Sequence, residues 1–322
     1  MTTYFIIGGT GSLGKTLINK LLSPDNQIVV YSRDEAKQWQ IKNDLKSHAD
    51  FKNLSFYIGD IRNEDRLKIV IRNTKPDVVI CAAALKQIDV CELTPSESIL
   101  TNLQGTQNLI SSLYSLGVEN TVKKVCFVST DKACAPINVY GMCKAISERL
   151  ITSECTGGLE TEFVCVRYGN VLESRGSIIP LFEFQAKNSK SFTLTDDRMT
   201  RFIMTLDEAV DLILRAIEWG NTGETWLPIL DAMKILDLAE IYSEIYSKPI
   251  EVIGLRPGEK LHEDLLSYTE SFRTKKITRS NYVILPANKS EVINQAGFKY
   301  DSSDTMTKDS LVNRLRNLKI IL

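Results

Sequence analysis

A glycine-rich segment at residues 8–14 directly follows a short apolar run at residues 4–7, and this order leaves few folds open to the chain. The apolar run has the length and composition of a buried strand, and a helix-length segment begins near Lys15. Glycines at positions 8, 11 and 14 allow a tight turn and a close approach of the backbone to a ligand. Because the helix start would direct its free N–H groups at that ligand, the segment predicts an anion-binding turn.

Short apolar runs alternate with amphipathic segments of helix length through the first half of the chain. The runs with the pattern of strands are residues 4–7, 28–31, 54–58, 77–81, 124–128 and 163–166. Helical patterns lie between them, for example at residues 15–22, 66–72 and 104–116. This alternation is typical of βαβ units, in which a parallel sheet is covered by helices on both faces. We therefore expect an α/β protein with a Rossmann-type doubly wound parallel sheet.

The regular alternation weakens after about residue 170. Helical patterns recur at residues 205–219 and 235–246, and Pro249, Pro257 and Gly258 interrupt the sequence that follows. The predicted Rossmann domain therefore spans residues 1–170, with about 203–228 returning to it. Residues 171–322 are predicted to form mostly a smaller, mixed α/β substrate lobe with a C-terminal segment.

Composition argues against several function classes. Lys and Arg number 39 against 40 Asp and Glu, so the chain lacks the basic excess of a dedicated nucleic-acid-binding protein. Its longest apolar run, residues 78–85, is far shorter than the ~20 residues of a membrane span. A strand-like segment begins almost at the first residue, where a signal peptide would lie, which favours a cytoplasmic protein. Seven cysteines without a CxxC pair and two histidines predict neither a disulfide framework nor a metal site.

The position of the glycine-rich segment between a strand and a helix is the fingerprint of a dinucleotide pyrophosphate site. The second strand is followed by Ser32 and Arg33, and Lys37 lies one helical turn further on. A guanidinium here suits the 2′-phosphate of NADP through charge-assisted hydrogen bonds, whereas Asp34 keeps NAD as the alternative. The residues expected to bind the dinucleotide are Gly8, Thr10, Gly11, Ser12, Leu13 and Gly14 of the turn, Ser32, Arg33 and Lys37, Asp60 and Ile61 after the third strand, and Ala82 and Ala84 after the fourth. The alternative role of Asp60 is a loop cap.

Tyr140 and Lys144 are the clearest candidates for acid–base chemistry, which in a chain with two histidines must rest mainly on Asp, Glu, Lys or Tyr. If Tyr140 opens a helix, positions i and i+4 share a face. The ammonium beside the phenol would then lower the pKa of Tyr140 and make it a usable base. Lys144 could also hold the nicotinamide ribose. The preceding strand ends with Ser129, Thr130, Asp131 and Lys132.

Together these residues resemble the extended short-chain dehydrogenase/reductase superfamily, and more closely its inverting UDP-N-acetylglucosamine 4,6-dehydratases. With the glycine-rich segment, the similar blocks run from residue 4 to about residue 265. The blocks are Thr130-Asp131-Lys132-Ala133-Cys134-x-Pro136, Arg167-Tyr168-Gly169-Asn170-Val171, Ser174-Arg175-Gly176-Ser177, Arg198-Met199-Thr200-Arg201-Phe202 and Pro257-Gly258-Glu259-Lys260-Leu261-His262-Glu263. Gln87, Asp89 and Glu173 depart from the family pattern, which usually has His, Pro and Gly at these positions.

The resemblance implies an enzyme that oxidises C4 of the sugar, removes water across C5 and C6, and returns the hydride to C6. In this scheme Tyr140 takes the proton of the C4 hydroxyl, a neutral Lys132 with a lowered pKa removes the C5 proton, and protonated Asp131 donates to the departing C6 hydroxyl. Thr130 would hydrogen-bond the C4 oxygen. Inversion at C5 gives UDP-2-acetamido-2,6-dideoxy-β-L-arabino-hex-4-ulose, in the first step toward an L-configured 6-deoxy amino sugar.

The pair Asp131-Lys132 discriminates between the alternatives within the superfamily. Retaining nucleotide-sugar dehydratases have Asp-Glu at this point, and 4-epimerases have a small or hydroxyl residue before their Tyr. A retaining dehydratase and a 4-epimerase are therefore the enzyme alternatives. A non-catalytic NADP-sensing protein on the same fold is the third, although such proteins often lose the Tyr or the Lys.

The resemblance also implies a UDP-sugar site, cofactor contacts at Ser129 and Val171, and a homo-oligomer formed through helices that flank the core. The residues that match family positions for the nucleotide sugar are Lys86, Asn170, Arg175, Gly176, Ser177, Thr195, Arg201, Arg256 and Glu259. Of these, Arg201 and Arg256 are the expected partners of the pyrophosphate, and Glu259 could accept from a ribose hydroxyl. A surface ion pair is the alternative for either arginine.

Overall fold

The computed structural model describes residues 1–153, 159–288 and 293–322 of the chain. Its strands, in chain order, are β1 (Thr2–Ile7), β2 (Asn26–Ser32), β3 (Leu54–Ile58), β4 (Val78–Cys81), β5 (Lys124–Val128), β6 (Glu162–Val166), β7 (Phe192–Leu194), β8 (Thr200–Phe202), β9 (Thr225–Pro228), β10 (Ala232–Lys234), β11 (Ile250–Val252), β12 (Asp264–Leu266), β13 (Thr274–Thr278), β14 (Asn281–Ile284) and β15 (Tyr300–Asp301). Its α-helices are α1 (Ser12–Leu21), α2 (Glu35–Leu45), α3 (Glu64–Thr74), α4 (Ile88–Leu93), α5 (Pro95–Ser98), α6 (Gly105–Leu116), α7 (Val139–Ser153), α8 (Ile178–Asn188), α9 (Leu206–Trp219), α10 (Ile235–Tyr246), α11 (Tyr268–Ser271) and α12 (Lys308–Asn317). A π-helical stretch, Ile99–Gln104, joins α5 to α6.

In the described part of the chain, nine strands form one sheet in the order β13-β14-β9-β6-β5-β4-β1-β2-β3. The strands from β3 to β9 in this order pair in parallel, and β14 and β13 extend the sheet with antiparallel pairs. The strands predicted in the first half of the sequence are confirmed, and all of them lie in the parallel part. The doubly wound α/β prediction is also confirmed, because the strand order reverses at β1, which pairs with β2 on one side and β4 on the other.

The sheet is covered on both faces because successive apolar side chains enter two different cores. Ile6 of β1 belongs to one core, with Leu17 of α1 and Val210 of α9. Its neighbour Phe5 belongs to the other core, with Leu109 of α6. This two-sided burial is the reason that the parallel strands are continuous Val/Ile runs. The carboxyl ends of the strands are left at one edge, where ligands bind in sheets of this type.

The C-terminal half forms a third core beside the sheet. Phe182 of α8, Phe192 of β7 and Tyr242 of α10 pack there, with ring centroids 5.4 to 5.8 Å apart. Two short sheets, β8 with β10 and β7 with β11, lie in this half, whereas β9 pairs with β6 of the main sheet. β9, β13 and β14 of the main sheet were not predicted from the sequence, because β9 and β14 have only four residues each and β13 has no apolar run.

Candidate active site

The glycine-rich turn lies between β1 and α1, at the switch point of the sheet. Gly8 has a φ of +83°, and a Cβ on it would lie 2.7 Å from the backbone nitrogen of Ala83. A Cβ on Gly14 would collide with the backbone of Gly9, so α1 begins in direct contact with the turn. No described side chain caps α1 at Gly11, which leaves the first N–H groups of the helix to a ligand. The turn therefore fits a bound pyrophosphate.

The residues after β2 combine a cation with a capped helix start. Ser32 ends β2 with a buried side chain. Asp34 caps α2 by accepting a 3.0 Å hydrogen bond from the backbone of Lys37, whose ammonium pairs with the same carboxylate. These hydrogen bonds from Lys37 lower the pKa of Asp34. Arg33 is the more exposed of the two cations here, and its guanidinium lies 3.6 Å from Asp60 Oδ2.

Asp60 caps its own loop, which is the alternative that the sequence left open. Its carboxylate accepts hydrogen bonds from the backbone of Arg62 at 3.0 Å and from the Arg62 guanidinium at 2.7 and 2.9 Å. Burial would raise the pKa of Asp60, but the hydrogen bonds from Arg62 lower it. Ile61 beside it is buried. After β4, the N–H of Ala82 donates to the end of β1 at 2.9 Å, and Ala84 is exposed.

Tyr140 is buried in the first turn of α7, near Thr130, whose side chain acts to lower the pKa of the phenol. Burial raises the pKa of Tyr140 to about 12, and the Lys132 ammonium opposes this rise. Lys144, one turn along α7, instead donates a 2.6 Å hydrogen bond to the carbonyl of Val128. The expectation that Lys144 lowers the pKa of the phenol is therefore wrong in this structure. Lys132 supplies that charge, because the loop after β5 folds back over the start of α7.

Lys132 is enclosed by two carboxylates. Its Nζ lies 2.9 Å from Asp131 Oδ1 and 3.3 Å from Glu263 Oε1. Asp131 is fully buried and accepts a further 2.9 Å hydrogen bond from the hydroxyl of Thr130. Burial would lower the pKa of Lys132, but the two carboxylates raise it above the usual lysine value. The expectation of a lowered pKa is therefore wrong, because the second carboxylate comes from a distant part of the sequence.

Glu263 is the charged residue that the sequence analysis did not single out. It is buried just before β12, and Nε of Arg201 lies 3.8 Å from its Oε1. Burial raises the pKa of Glu263, and the Lys132 ammonium opposes this rise. The guanidinium of Arg201, expected at a pyrophosphate, donates to the carbonyls of Thr200 at 2.7 Å and Leu261 at 3.2 Å. The sequence signal that could have found Glu263 is its place as the last residue of the block 257–263, which resembles the dehydratase family.

Buried oxygen atoms that lack a hydrogen-bond partner concentrate at the predicted site. Six such side-chain atoms occur among the described residues, and one of them belongs to Thr101. The other five are Ser129 Oγ, Asp131 Oδ2, Asn170 Oδ1, Ser177 Oγ and Glu263 Oε2. A buried polar atom without a partner costs about 1–3 kcal/mol. Four of these five atoms belong to residues expected to act on or meet the cofactor or the sugar, and Glu263 lies against Lys132, which together indicate a polar ligand.

The loop before α8 connects two parts of the site. Ser174 Oγ accepts a 3.3 Å hydrogen bond from the Lys86 ammonium. The Arg175 guanidinium donates to the carbonyl of Thr10 at 2.5 Å, and its backbone N–H donates to Ser12 Oγ at 3.2 Å. The structure thus places Arg175 against the glycine-rich turn, whereas the resemblance implied a contact with the nucleotide sugar.

Two departures from the family pattern lie in or against this loop. Glu173 has a φ of +59°, the left-handed region in which the usual glycine is unstrained. A Cβ on Gly176 would collide with the side chain of Gln87, so Gln87 fills the space beneath the loop. Asp89 lies in the first turn of α4, where a carboxylate is favourable to the helix dipole. Val171, at the start of the loop, forms an isolated parallel β-bridge with Met204, the residue before the N-cap of α9.

The remaining predicted substrate contacts are less enclosed. Thr195 Oγ1 lies 3.5 Å from a methionine sulfur, and Arg256 is exposed. The backbone N–H of Arg256 donates to the Glu259 carboxylate at 3.1 Å, so Glu259 caps its own turn. The adjoining Gly258 carbonyl accepts a 2.8 Å hydrogen bond from Asn138, which precedes α7. This bond holds the 256–259 segment near the end of α7 that carries Tyr140.

The fold and these residues together define the class of the protein. A parallel sheet with a glycine-rich turn at its switch point, followed after β5 by a helix with Tyr140 and Lys144 one turn apart, is the arrangement of an extended short-chain dehydrogenase/reductase. Within that class, the chain belongs to the polysaccharide biosynthesis protein family, whose sequence pattern matches residues 4–285.

Two related proteins match most of the chain. An inverting UDP-N-acetylglucosamine 4,6-dehydratase of Campylobacter jejuni serotype O:23/36 (strain 81-176) is 40% identical over 289 residues, which cover 88% of this chain and 83% of the relative. A UDP-glucose 4-epimerase of Rickettsia akari is 42% identical over 275 residues, which cover 82% of this chain and 77% of the relative.

Solved structures agree with the fold. The structure of Pen from Bacillus thuringiensis has a TM-score of 0.91 at 36% identity, covering 100% of this chain and 98% of that one. DesIV, a dTDP-glucose 4,6-dehydratase from Streptomyces venezuelae with NAD and TYD bound, has a TM-score of 0.69 at 22% identity, covering 81% of this chain and 87% of that one.

Proposed function

We propose that this protein is a C5-inverting UDP-N-acetylglucosamine 4,6-dehydratase, a hydro-lyase that forms UDP-2-acetamido-2,6-dideoxy-β-L-arabino-hex-4-ulose. The observation that carries the proposal is the buried cluster of Lys132, Asp131 and Glu263 beside Tyr140. A 4-epimerase exchanges hydride and proton at C4, for which Tyr140 and Thr130 suffice. Loss of water across C5 and C6 needs a second base and an acid, and the cluster offers both. The Campylobacter dehydratase, 40% identical over 88% of this chain, supports the same choice by its coverage, since the Rickettsia epimerase is 42% identical over 82%.

The Lys132–Asp131 pair shares one proton, which is the number that the dehydration step requires. As found, it is an ammonium beside a carboxylate, joined by a 2.9 Å hydrogen bond. Transfer of the proton along that bond gives a neutral amine and a carboxylic acid, which are the base and the acid of the reaction. The amine then takes the C5 proton while the acid gives its proton to the C6 hydroxyl, which leaves as water. The pair returns to its ionic form without a net change of charge.

Tyr140 and Thr130 serve the preceding oxidation at C4. Thr130 holds the C4 oxygen, and Tyr140 accepts the proton of the C4 hydroxyl. A nicotinamide dinucleotide bound at the glycine-rich turn would supply the hydride acceptor for C4 and the hydride donor for C6. Return of the hydride to C6 is balanced by a proton added to C5, and arrival of that proton on the face opposite the one that lost its proton inverts C5. Because burial raises the pKa of Tyr140 to about 12, the phenolate depends on the positive charge of Lys132. Lys144, whose ammonium donates to the carbonyl of Val128, would hold the nicotinamide ribose.

For the cofactor we propose NADP rather than NAD, held tightly and recycled within each turnover. Asp34, which would hold the 2′-hydroxyl of NAD, is used as the cap of α2, and Arg33 is half exposed beside it. Arg33 and Lys37 would bind the 2′-phosphate. The other proposed contacts are the turn residues Gly8, Thr10, Gly11, Ser12, Leu13 and Gly14, together with Ser32, Asp60, Ile61, Ala82, Ala84, Ser129, Tyr140, Lys144 and Val171.

For the nucleotide sugar we propose the contacts implied by the resemblance, namely Lys86, Asn170, Gly176, Ser177, Thr195, Arg201, Arg256 and Glu259. Arg175, which contacts the glycine-rich turn, would lie between the sugar and the dinucleotide. Residues 1–170 would bind the dinucleotide with the help of 203–228, and 171–322 would bind most of the sugar nucleotide. The partnerless oxygens of Asn170 and Ser177 support this division.

We propose further that the protein forms a homo-oligomer through α4, the stretch after α5, and α7. Apolar side chains on these neighbouring helices are exposed, namely Val90, Leu93, Ile99, Leu100, Met142 and Ile146. We propose the cytoplasm as its compartment. The described cysteines are all free and buried, as expected in a reducing environment. Among the described helices, none is long and apolar enough to cross a bilayer.

Proton NMR of a reaction with UDP-N-acetylglucosamine, without added reductant, tests the proposed function. We expect a new C6 methyl signal and the coupling pattern of an inverted C5. A change confined to H4 identifies a 4-epimerase, and a C6 methyl with the original C5 configuration identifies a retaining dehydratase. Dinucleotide binding without any turnover identifies a sensing protein. Each of these three outcomes overturns the proposal.

A further inference from the structure

Glu263 belongs to a cluster whose charges balance. Lys132 and Arg201 carry the positive charges, and Asp131 and Glu263 carry the negative ones. The ion-pair distances are 2.9 Å from Lys132 to Asp131, 3.3 Å from Lys132 to Glu263 and 3.8 Å from Arg201 to Glu263. The side chains of Asp131 and Glu263 are 0% and 2% exposed, so water screens these charges little.

From this geometry we infer that Glu263 is a positioning residue that holds the shared proton on the Lys132–Asp131 pair. This inference rests on the proposed dehydratase function, in which the pair is active only while it carries one proton. Without the Glu263 charge, Arg201 would lie beside Lys132 uncompensated, and the pair would release its proton at a lower pH. The amine would still be a base, but Asp131 would have no proton for the C6 hydroxyl.

Other charged groups near the cluster affect its titration less directly. Lys260 is paired with Asp264 at 3.1 Å, and Lys86 bonds to Ser174. Burial raises the pKa of Tyr140 to about 12, above the range of the experiment below. Asp264 follows Glu263 in the sequence but pairs with Lys260, and it therefore provides a matched control.

The test is the dependence of kcat on pH, from about pH 6 to 11, for the wild type, Glu263→Gln and Asp264→Asn, with product measured by its C6 methyl signal. Because the carboxylates hold the pKa of Lys132 above the usual lysine value, the wild type should keep its activity to the top of this range. In Glu263→Gln we expect the alkaline loss to move down by about one pH unit or more, into the range, with KM little changed. Asp264→Asn is expected to follow the wild type. Glu263→Asp keeps the charge but withdraws it from Lys132 by one methylene group, and it is expected to lose part of its activity at the top of the range, where the wild type keeps it. This variant gives a second test if Glu263→Gln does not fold.

If Glu263→Gln loses activity at the same alkaline pH as the wild type, the proposed role of Glu263 is overturned, however far the rate falls. Its role is then structural. The role of Glu263 is also overturned if Asp264→Asn moves the alkaline loss by the same amount. If Glu263→Gln does not fold, a Glu263→Asp profile that coincides with the wild-type profile overturns the role. A wild-type protein that forms no 4-keto-6-deoxy product refutes the proposed function itself and this inference with it. Circular dichroism melting of each variant confirms that folded protein is compared.

Discussion

Lys132 and Tyr140 are electrostatically coupled across the loop between β5 and α7. Burial raises the pKa of the phenol to about 12, and the Lys132 ammonium acts against that rise. The same ammonium is held by Asp131 and Glu263, so one cation connects the base for C4 with the acid and base proposed for C5 and C6. The two half-reactions are therefore not independent, and variants of Lys132 must be chosen to separate them.

Replacing Lys132 with Arg is expected to stop proton removal at C5 while keeping a cation near Tyr140. A guanidinium does not lose its proton in proteins, so it is unable to act as the base. We expect wash-in of solvent deuterium at C5 to fall by about 100-fold or more. Oxidation at C4 should continue, seen as near-ultraviolet absorbance of the reduced nicotinamide. Lys132→Ala is expected to abolish C5 wash-in and to slow C4 oxidation as well; unchanged wash-in in either variant contradicts the assigned base.

Gly14→Ala is expected to abolish dinucleotide binding. The added Cβ would collide with the backbone of Gly9 and push α1 away from the turn. Gly117→Ala is the control, because Gly117 has open space around its Cβ position and only its φ of +52° is strained for alanine. It should cost about 1–3 kcal/mol of stability and leave binding unchanged. Fluorescence titration with NADPH measures dinucleotide binding by both variants. Equal binding by the two variants would show that the turn does not hold the cofactor.

Arg33→Ala is expected to reduce the preference for NADP over NAD by about tenfold or more, since a hydrogen bond to a charged group contributes about 1.5–3 kcal/mol. The measurement is the ratio of dissociation constants for NADPH and NADH by calorimetry. Arg72→Ala is the control, because Arg72 is an arginine of similar exposure that pairs with Glu119. A ratio that does not change in Arg33→Ala refutes the assignment of the 2′-phosphate site.

Acid should destabilise the fold through Glu270, which lies with Glu148 against the buried Arg167. Burial alone would raise the pKa of Glu270, but Arg167 lowers it from 4.5 to about 2. Its stabilising contribution is therefore complete above about pH 4.5 and is lost as the pH falls from there toward about 2. The shift corresponds to about 3 kcal/mol. Urea unfolding at several pH values should show a steeper acid loss in the wild type than in Glu270→Gln, and parallel curves contradict the pairing.

The sequence by itself determined the parallel strands, the glycine-rich turn and the register of Tyr140 and Lys144. These features depend on local periodicity and on conformational freedom at single positions, which any short window of sequence contains. The chemistry of Lys132 was decided by tertiary structure. Its neighbour Asp131 is visible in the sequence, but Glu263 reaches it only after β12 packs against the loop that follows β5.

The same reason explains Arg175 and Lys144. Arg175 contacts Thr10 across 165 positions of sequence, which moved it from the expected sugar contact to the dinucleotide turn. Lys144 shares the predicted helix face with Tyr140, yet its ammonium bonds to Val128 because the end of β5 offers it a carbonyl. Burial and long-range charge set the sign of a pKa shift, and both exist only once distant segments have come together.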